Sequence, residues 1–180
     1  GIRDAQESRG LGDMYKRQSM NRQYTPEHYL SLIKKVRHTI PDISISTDII
    51  VGYPGEGETE FMHTAQLMRE ISFDMAYFGR FSPRPGTAAA KLKDNVSFKV
   101  KAEREKYLNE ILIETATCNN NKYLNKKVEV LVDGWKKGRC FGKTASFKIV
   151  SFVGDKSLIG QKVVVKIKKI GPWGLVGEKK

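Results

Sequence analysis

The chain has 180 residues, 39% of them hydrophobic and 29% charged, a balance typical of soluble globular proteins and a length that suits one ordinary domain or two small ones. No apolar run approaches the ~18 residues of a membrane-spanning helix, no signal peptide is legible, and two cysteines, Cys118 and Cys140, are too few for a disulfide framework and point to a reducing compartment. The formal charge of +12 calls for an anionic partner, nucleic acid before a membrane surface.

Residues 1–18 lack periodicity and are expected to be disordered or foreign to the fold. Asp13–Gln18 resembles a translated transposon-end adapter, and the gene is expected to be truncated upstream. Thr25-Pro26-Glu27 marks a helix start: a capping hydroxyl, a proline at the first turn and an acid at the positive dipole end. Tyr29, Ile33, Val36 and Ile40 follow at helical spacing, and Pro41 ends the run. Ile43–Val51 is rich in β-branched residues and predicts a strand, with Ser44, Ser46 and Asp48 on one face and Ile43, Ile45, Ile49 and Val51 on the other. A turn at Tyr53–Gly57 leads to a second helix whose buried face is Phe61, Ala65, Met68 and Ile71. Phe73–Phe81 predicts a second strand, Ser82–Thr87 a rigid loop, and Ser97–Thr117 a third helix with Val100, Arg104, Leu108, Ile111 and Thr115 in one stripe. Alternating helices and strands with short connections predict α/β units around a parallel sheet.

The last third differs. Residues 118–180 hold 15 Lys+Arg against 4 Asp+Glu, whereas residues 1–117 hold 17 against 16. A boundary is therefore expected near Cys118–Lys122, with Asn119-Asn120-Asn121 as a polar linker poor at holding a helix. Val128–Val132, Phe147–Phe152 and Val163–Ile167 predict short strands punctuated by glycines, the pattern of a small all-β, OB-like barrel.

Three segments carry candidate chemistry. Polar groups on the inner face of a parallel barrel need a partner, often a ligand, and Gly52 and Gly55 would let a cofactor approach the strand end closely; the spacing alone favours an ordinary strand and Pro-Gly turn. Arg84, between Pro83 and Pro85, would present its guanidinium to a phosphate or carboxylate, or sit in a stiff exposed loop. Trp135-Lys136-Lys137-Gly138-Arg139-Cys140-Phe141-Gly142-Lys143, with Lys148 between Phe147 and Phe152, interleaves cations and rings, which favours RNA: lysines neutralise phosphates and rings stack on unpaired bases. His28, His38, His63 and the two cysteines lack metal-ligand spacing, and neither a P-loop nor a nucleophile with its base is visible.

With Met20-Asn21-Arg22 and Tyr24-Thr25, the stretches Ser46–Glu56 and Ser82–Thr87 resemble the C-terminal half of the radical-SAM methylthiotransferases, in the same order. Val128–Val132 and Gly142-Lys143-Thr144 resemble the TRAM domain that follows in those enzymes. The resemblance spans residues 19–180, and Pro83-Arg84-Pro85-Gly86-Thr87 is more similar to the tRNA-modifying, MiaB-like branch than to the ribosomal-protein branch. It implies the C-terminal half of a partial TIM-like barrel over residues 19–117 and a TRAM domain over 118–180. It also implies an enzyme that uses S-adenosylmethionine and two [4Fe–4S] clusters to place a methylthio group on C2 of N6-isopentenyladenosine-37 in tRNA. The family's Cys-x3-Cys-x2-Cys motif is absent here, so the chain is expected to be a fragment, inactive alone.

By the same resemblance, Ser46, Asp48, Gly52, Tyr53, Pro54 and Phe81 would border the cofactor and Arg84 would approach the substrate. Lys136, Lys137, Arg139, Lys143 and Lys148 would contact tRNA phosphates, with Trp135 or Phe141 stacking. The expected setting is a cytoplasmic monomer bound to tRNA and to no membrane. Alternatives are a non-catalytic RNA-binding module, or a branch acting on threonylcarbamoyladenosine in tRNA or on a ribosomal protein.

Overall fold

A computed structural model describes residues 25–179. The readings of residues 1–18 and of Met20, Asn21, Arg22 and Tyr24 lie outside these. The chain forms two compact units, one ending at Pro41 and resuming over Ile45–Leu112, the other made of Asp42–Ser44 and the residues from Ile113 onward.

In the first unit, α1 (Pro26–Thr39) starts as its sequence dictates, with the Thr25 hydroxyl accepting from the His28 N–H at 3.2 Å. Strand β1 (Ser46–Val51) pairs in parallel with β2 (Met75–Arg80), and α2 (Glu58–Ile71) connects them. Helix α3 spans Phe98–Asn120, and its residues up to Leu112 belong to this unit. The alternation along β1 is realised: Thr47, Ile49 and Val51 are buried, while Ser46 and Asp48 are exposed. Phe61, Ala65, Met68 and Ile71 of α2 and Leu108, Ile111 and Leu112 of α3 join Ile49 and Val51 in one core. Ile40, expected on the buried face of α1, lies beyond its last turn and is half exposed.

In the second unit, five strands close into a barrel in the order β3-β4-β5-β7-β6: β3 (Lys127–Lys136), β4 (Arg139–Lys143), β5 (Ile149–Val153), β6 (Lys162–Ile170) and β7 (Leu175–Lys179). All pairs are antiparallel except β5–β7. Closure removes the exposed edges that a small sheet would otherwise present. Val130, Val132, Cys140, Val150, Phe152, Val165, Ile167 and Leu175 fill the interior.

Gly142 shows how closely β4 approaches its neighbour β3 beside the register shift at Val132–Gly134, since a Cβ there would lie 2.2 Å from the Leu131 carbonyl oxygen. The β3–β4 turn has positive φ at both Lys137 (49°) and Gly138 (77°), the left-handed pair that matches hairpin twist.

The asparagine run departs from expectation. Asn119 and Asn120 end α3, and Asn121–Tyr123 form a 3-10 turn. Asn120 is buried, its amide donating to the Gly171 and Pro172 carbonyls at 2.7 and 3.3 Å. Tertiary hydrogen bonds override the weak helix propensity.

Candidate functional site

The exposed face of the β1–β2 sheet follows from the strand period. The parallel register sets Ser46 beside Met75, Asp48 beside Tyr77 and Ile50 beside Gly79. Ser46, Asp48 and Tyr77 are exposed, Tyr77 at 61%. Tyr53, buried, meets Phe81 edge to face at 5.2 Å where the two strands end. Of the expected cofactor residues, Gly52, Tyr53 and Phe81 gather at the C-terminal end of the sheet, Asp48 lies part-way along its exposed face, and Ser46 stands at the opposite end, where β1 begins. Pro54 is half-buried in the following turn.

Gly52 behaves differently from expectation. It has φ +71°, and a Cβ would lie 2.3 Å from Lys101 Cγ. The close approach that this glycine permits is made by the Lys101 stem.

Lys101 and Arg104 are buried cations one turn apart on α3, and sequence reasoning missed what they do. Lys101 Nζ donates to Asp94 Oδ2 at 2.6 Å and to the Phe81 carbonyl at 3.1 Å. Arg104 Nη1 donates to Glu56 Oε1 at 2.8 Å and to the Glu56 carbonyl at 3.0 Å. Glu56 Oε1 in turn accepts from the Gly52 N–H at 3.1 Å. Each cation therefore ties α3 to a loop that follows a parallel strand. Their legible signal was two charges on the stripe that also carries Leu108 and Ile111.

Arg84 sits in the expected stiff loop and is exposed. Gly86 has φ +84°, and the Thr87 N–H donates to the Arg84 carbonyl at 3.3 Å. Pro85 and Gly86 at the two central positions give a type II turn.

On the barrel, β4 presents Arg139, Phe141 and Lys143 outward while Cys140 and Gly142 point in. The strand rise puts about 13 Å between Arg139 and Lys143. Arg139 is steadied by a hydrogen bond from Nη2 to Ser151 Oγ at 3.1 Å. Lys136, the last residue of β3, and Lys137, in the adjoining turn, are exposed. Trp135 is 41% exposed, with Nε1 donating to the Gly154 carbonyl at 2.9 Å. A cation–ring–cation row of this kind is suited to a nucleic-acid strand.

Lys148 does not join the row. It is buried, because it shares the inward parity of Val150 and Phe152. Phe147, absent from the expected contacts, is 77% exposed instead.

The cysteines do different things. Cys118 is exposed on α3, and Cys140 is sealed in the barrel with Sγ donating to the Asp155 carbonyl at 3.3 Å. Burial pushes the Cys140 thiol up, and the Asp155 carboxylate adds to this. Hydrogen bonds from the Ser157 N–H and hydroxyl hold Asp155 below its ordinary value. No group of three His, Cys, Asp or Glu among the described residues could hold a metal ion. An iron–sulfur cluster takes cysteine thiolates, and this donor set does not fit one.

Comparison with known proteins decides the second unit. Residues 121–180 match the TRAM domain family. All five barrel strands lie within that match. The match to relatives reaches beyond it. A "tRNA-2-methylthio-N(6)-dimethylallyladenosine synthase" of Bacillus cytotoxicus is 47% identical over 172 residues, covering 94% of this chain and 33% of that protein. The synthase of the same name from Geobacillus kaustophilus is 48% identical over 162 residues, 88% of this chain and 30% of that one. The chain spans about a third of the length of these curated relatives and matches their TRAM-containing C-terminal region. The TRAM domain carries the cation–ring row. No helix among the described residues is long and apolar enough to cross a membrane.

Proposed function

We propose that the chain is the tRNA-holding, C-terminal part of a radical-SAM methylthiotransferase that places a methylthio group on C2 of N6-isopentenyladenosine-37. The observation that carries this reading is the match, at close to half identity over 94% of the chain, to synthases named for that product. The TRAM domain adds physical support: its basic surface and the row Arg139, Phe141 and Lys143 suit an RNA strand.

On this reading residues 19–117 are the closing part of the radical-SAM barrel, and the open face of β1–β2 lines its interior. S-adenosylmethionine, which supplies the radical and the methyl group when bound, would find chemistry that fits it there. Asp48 offers a carboxylate and Ser46 a hydroxyl, and Tyr53 with Phe81 gives an apolar end. Lys101 and Arg104 hold the loops around that end. Cluster chemistry is assigned to no residue of this chain. The working state is a cytoplasmic monomer.

Footprinting tests the proposal. The full chain is added to unmodified tRNA, and nuclease cleavage is mapped by position. Protection concentrated in the anticodon loop is the expected result. Protection confined to the acceptor arm would contradict it.

A further inference from the structure

The β4–β5 connection holds a residue that contributes little to folding. Phe147 has φ +59°, a backbone region that a bulky side chain rarely enters and that persists only where its surroundings enforce it. Its ring is 77% exposed, so burial returns little for the strain.

The turn itself is over-determined. The Thr144 N–H donates to the Lys148 carbonyl at 3.0 Å and the Phe147 N–H to the Thr144 carbonyl at 2.9 Å. The Lys148 N–H donates to Thr144 Oγ1 at 3.1 Å. Ser146 Oγ then bridges Thr144 Oγ1 at 3.2 Å and the hydroxyl of Tyr123 at 3.0 Å. Four residues fix the backbone that pushes one aromatic ring into solvent.

That ring follows directly on the cation–ring row of β4, four residues past Lys143. A rigidly presented ring costs little side-chain entropy on stacking. Resting on the RNA-binding reading above, we infer that Phe147 is a stacking platform for an unpaired RNA base whose backbone runs along Arg139 and Lys143. The occupant is single-stranded RNA, because bases inside a duplex offer no free face.

The test is fluorescence anisotropy of the full chain with a labelled single-stranded RNA oligonucleotide, and with the same sequence annealed into a duplex. Phe147→Ala is expected to weaken single-strand binding roughly 10-fold, about 1.4 kcal/mol, and to leave duplex binding unchanged. The slope of log affinity against log salt should not change, since no phosphate contact is lost. Phe147→Trp should restore binding. Phe147→Asn should weaken binding as alanine does yet raise the unfolding midpoint, because asparagine tolerates the left-handed region. Wild-type affinity in Phe147→Ala would overturn the inference while leaving RNA binding intact. A parent chain that binds no RNA would overturn the RNA-binding reading, and this inference with it.

Discussion

Replacing Arg104 with alanine removes the cation that joins α3 to the loop after β1. Arg104 and Glu56 have side chains only 7% and 9% exposed, so deletion leaves a buried carboxylate short of its partner. Losing one member of such a pair costs about 3–5 kcal/mol. Two features place this case at the lower end. Glu56 keeps the Gly52 N–H as a donor, and Arg104 Nε is already buried without a hydrogen-bond partner among the described residues, which lowers what the native pair contributes. The second ion pair, to Glu58 at 3.5 Å, involves a side chain 76% exposed and adds little. We therefore expect a loss of about 3 kcal/mol.

Urea unfolding followed by circular dichroism at 222 nm measures the loss, because the long helices dominate that signal. Tryptophan fluorescence gives an internal control, since both tryptophans, Trp135 and Trp173, lie in the barrel. The double variant Arg104→Met, Glu56→Met should lose less than the sum of the two single changes. A loss below ~1 kcal/mol for Arg104→Ala, the range of an exposed pair, would refute the reasoning.

Gly142→Ala should unfold or severely destabilise the barrel, because its Cβ would overlap the Leu131 carbonyl; tryptophan fluorescence and its urea midpoint check this, and a midpoint like that of the parent contradicts it. One of the two thiols should react quickly with a thiol reagent at neutral pH: Cys118 is exposed, whereas Cys140 is buried with its pKa raised, so Cys118→Ser should abolish the fast phase. Asp155, held low by Ser157, contributes stability that is complete above its ordinary value of about 4 and is lost as pH falls through its lowered one. Asp155→Asn should therefore flatten the acid limb of barrel stability below about pH 4, and an unchanged limb would count against the assignment.

Much of the first unit was legible because its signals are local. The buried stripe of α2 and the two faces of β1 are set by residue spacing alone. The ion pairs of Lys101 and Arg104 were not, since Glu56 lies 48 positions from Arg104 and a hydrophobic stripe does not announce buried charge. In the barrel, β4 and β7 escaped notice for a specific reason. Each has five residues with a glycine inside, which interrupts the β-branched run that marks a strand, and Gly142 read as turn punctuation. Gly142 instead sits inside β4, where that strand passes close against the backbone of β3.

Strand parity could have placed Lys148. It stands in step with Val150 and Phe152, so alternation alone points it inward. The reading of Lys148 as a phosphate contact weighed its charge above its position. The asparagines at the end of α3 failed similarly: their composition suggests a linker, and only the distant Gly171–Pro172 loop reveals Asn120 as a buried clamp.

The central claim is that this chain holds tRNA through its basic barrel. The affinity of the full chain for unmodified tRNA, measured across a range of salt concentrations, tests it most directly. Tight binding at low salt that falls steeply and linearly in log–log form, with a shallower slope in Arg139→Ala and Lys143→Ala, is the predicted result. Affinity that is absent at low salt, or indifferent to salt, would contradict it.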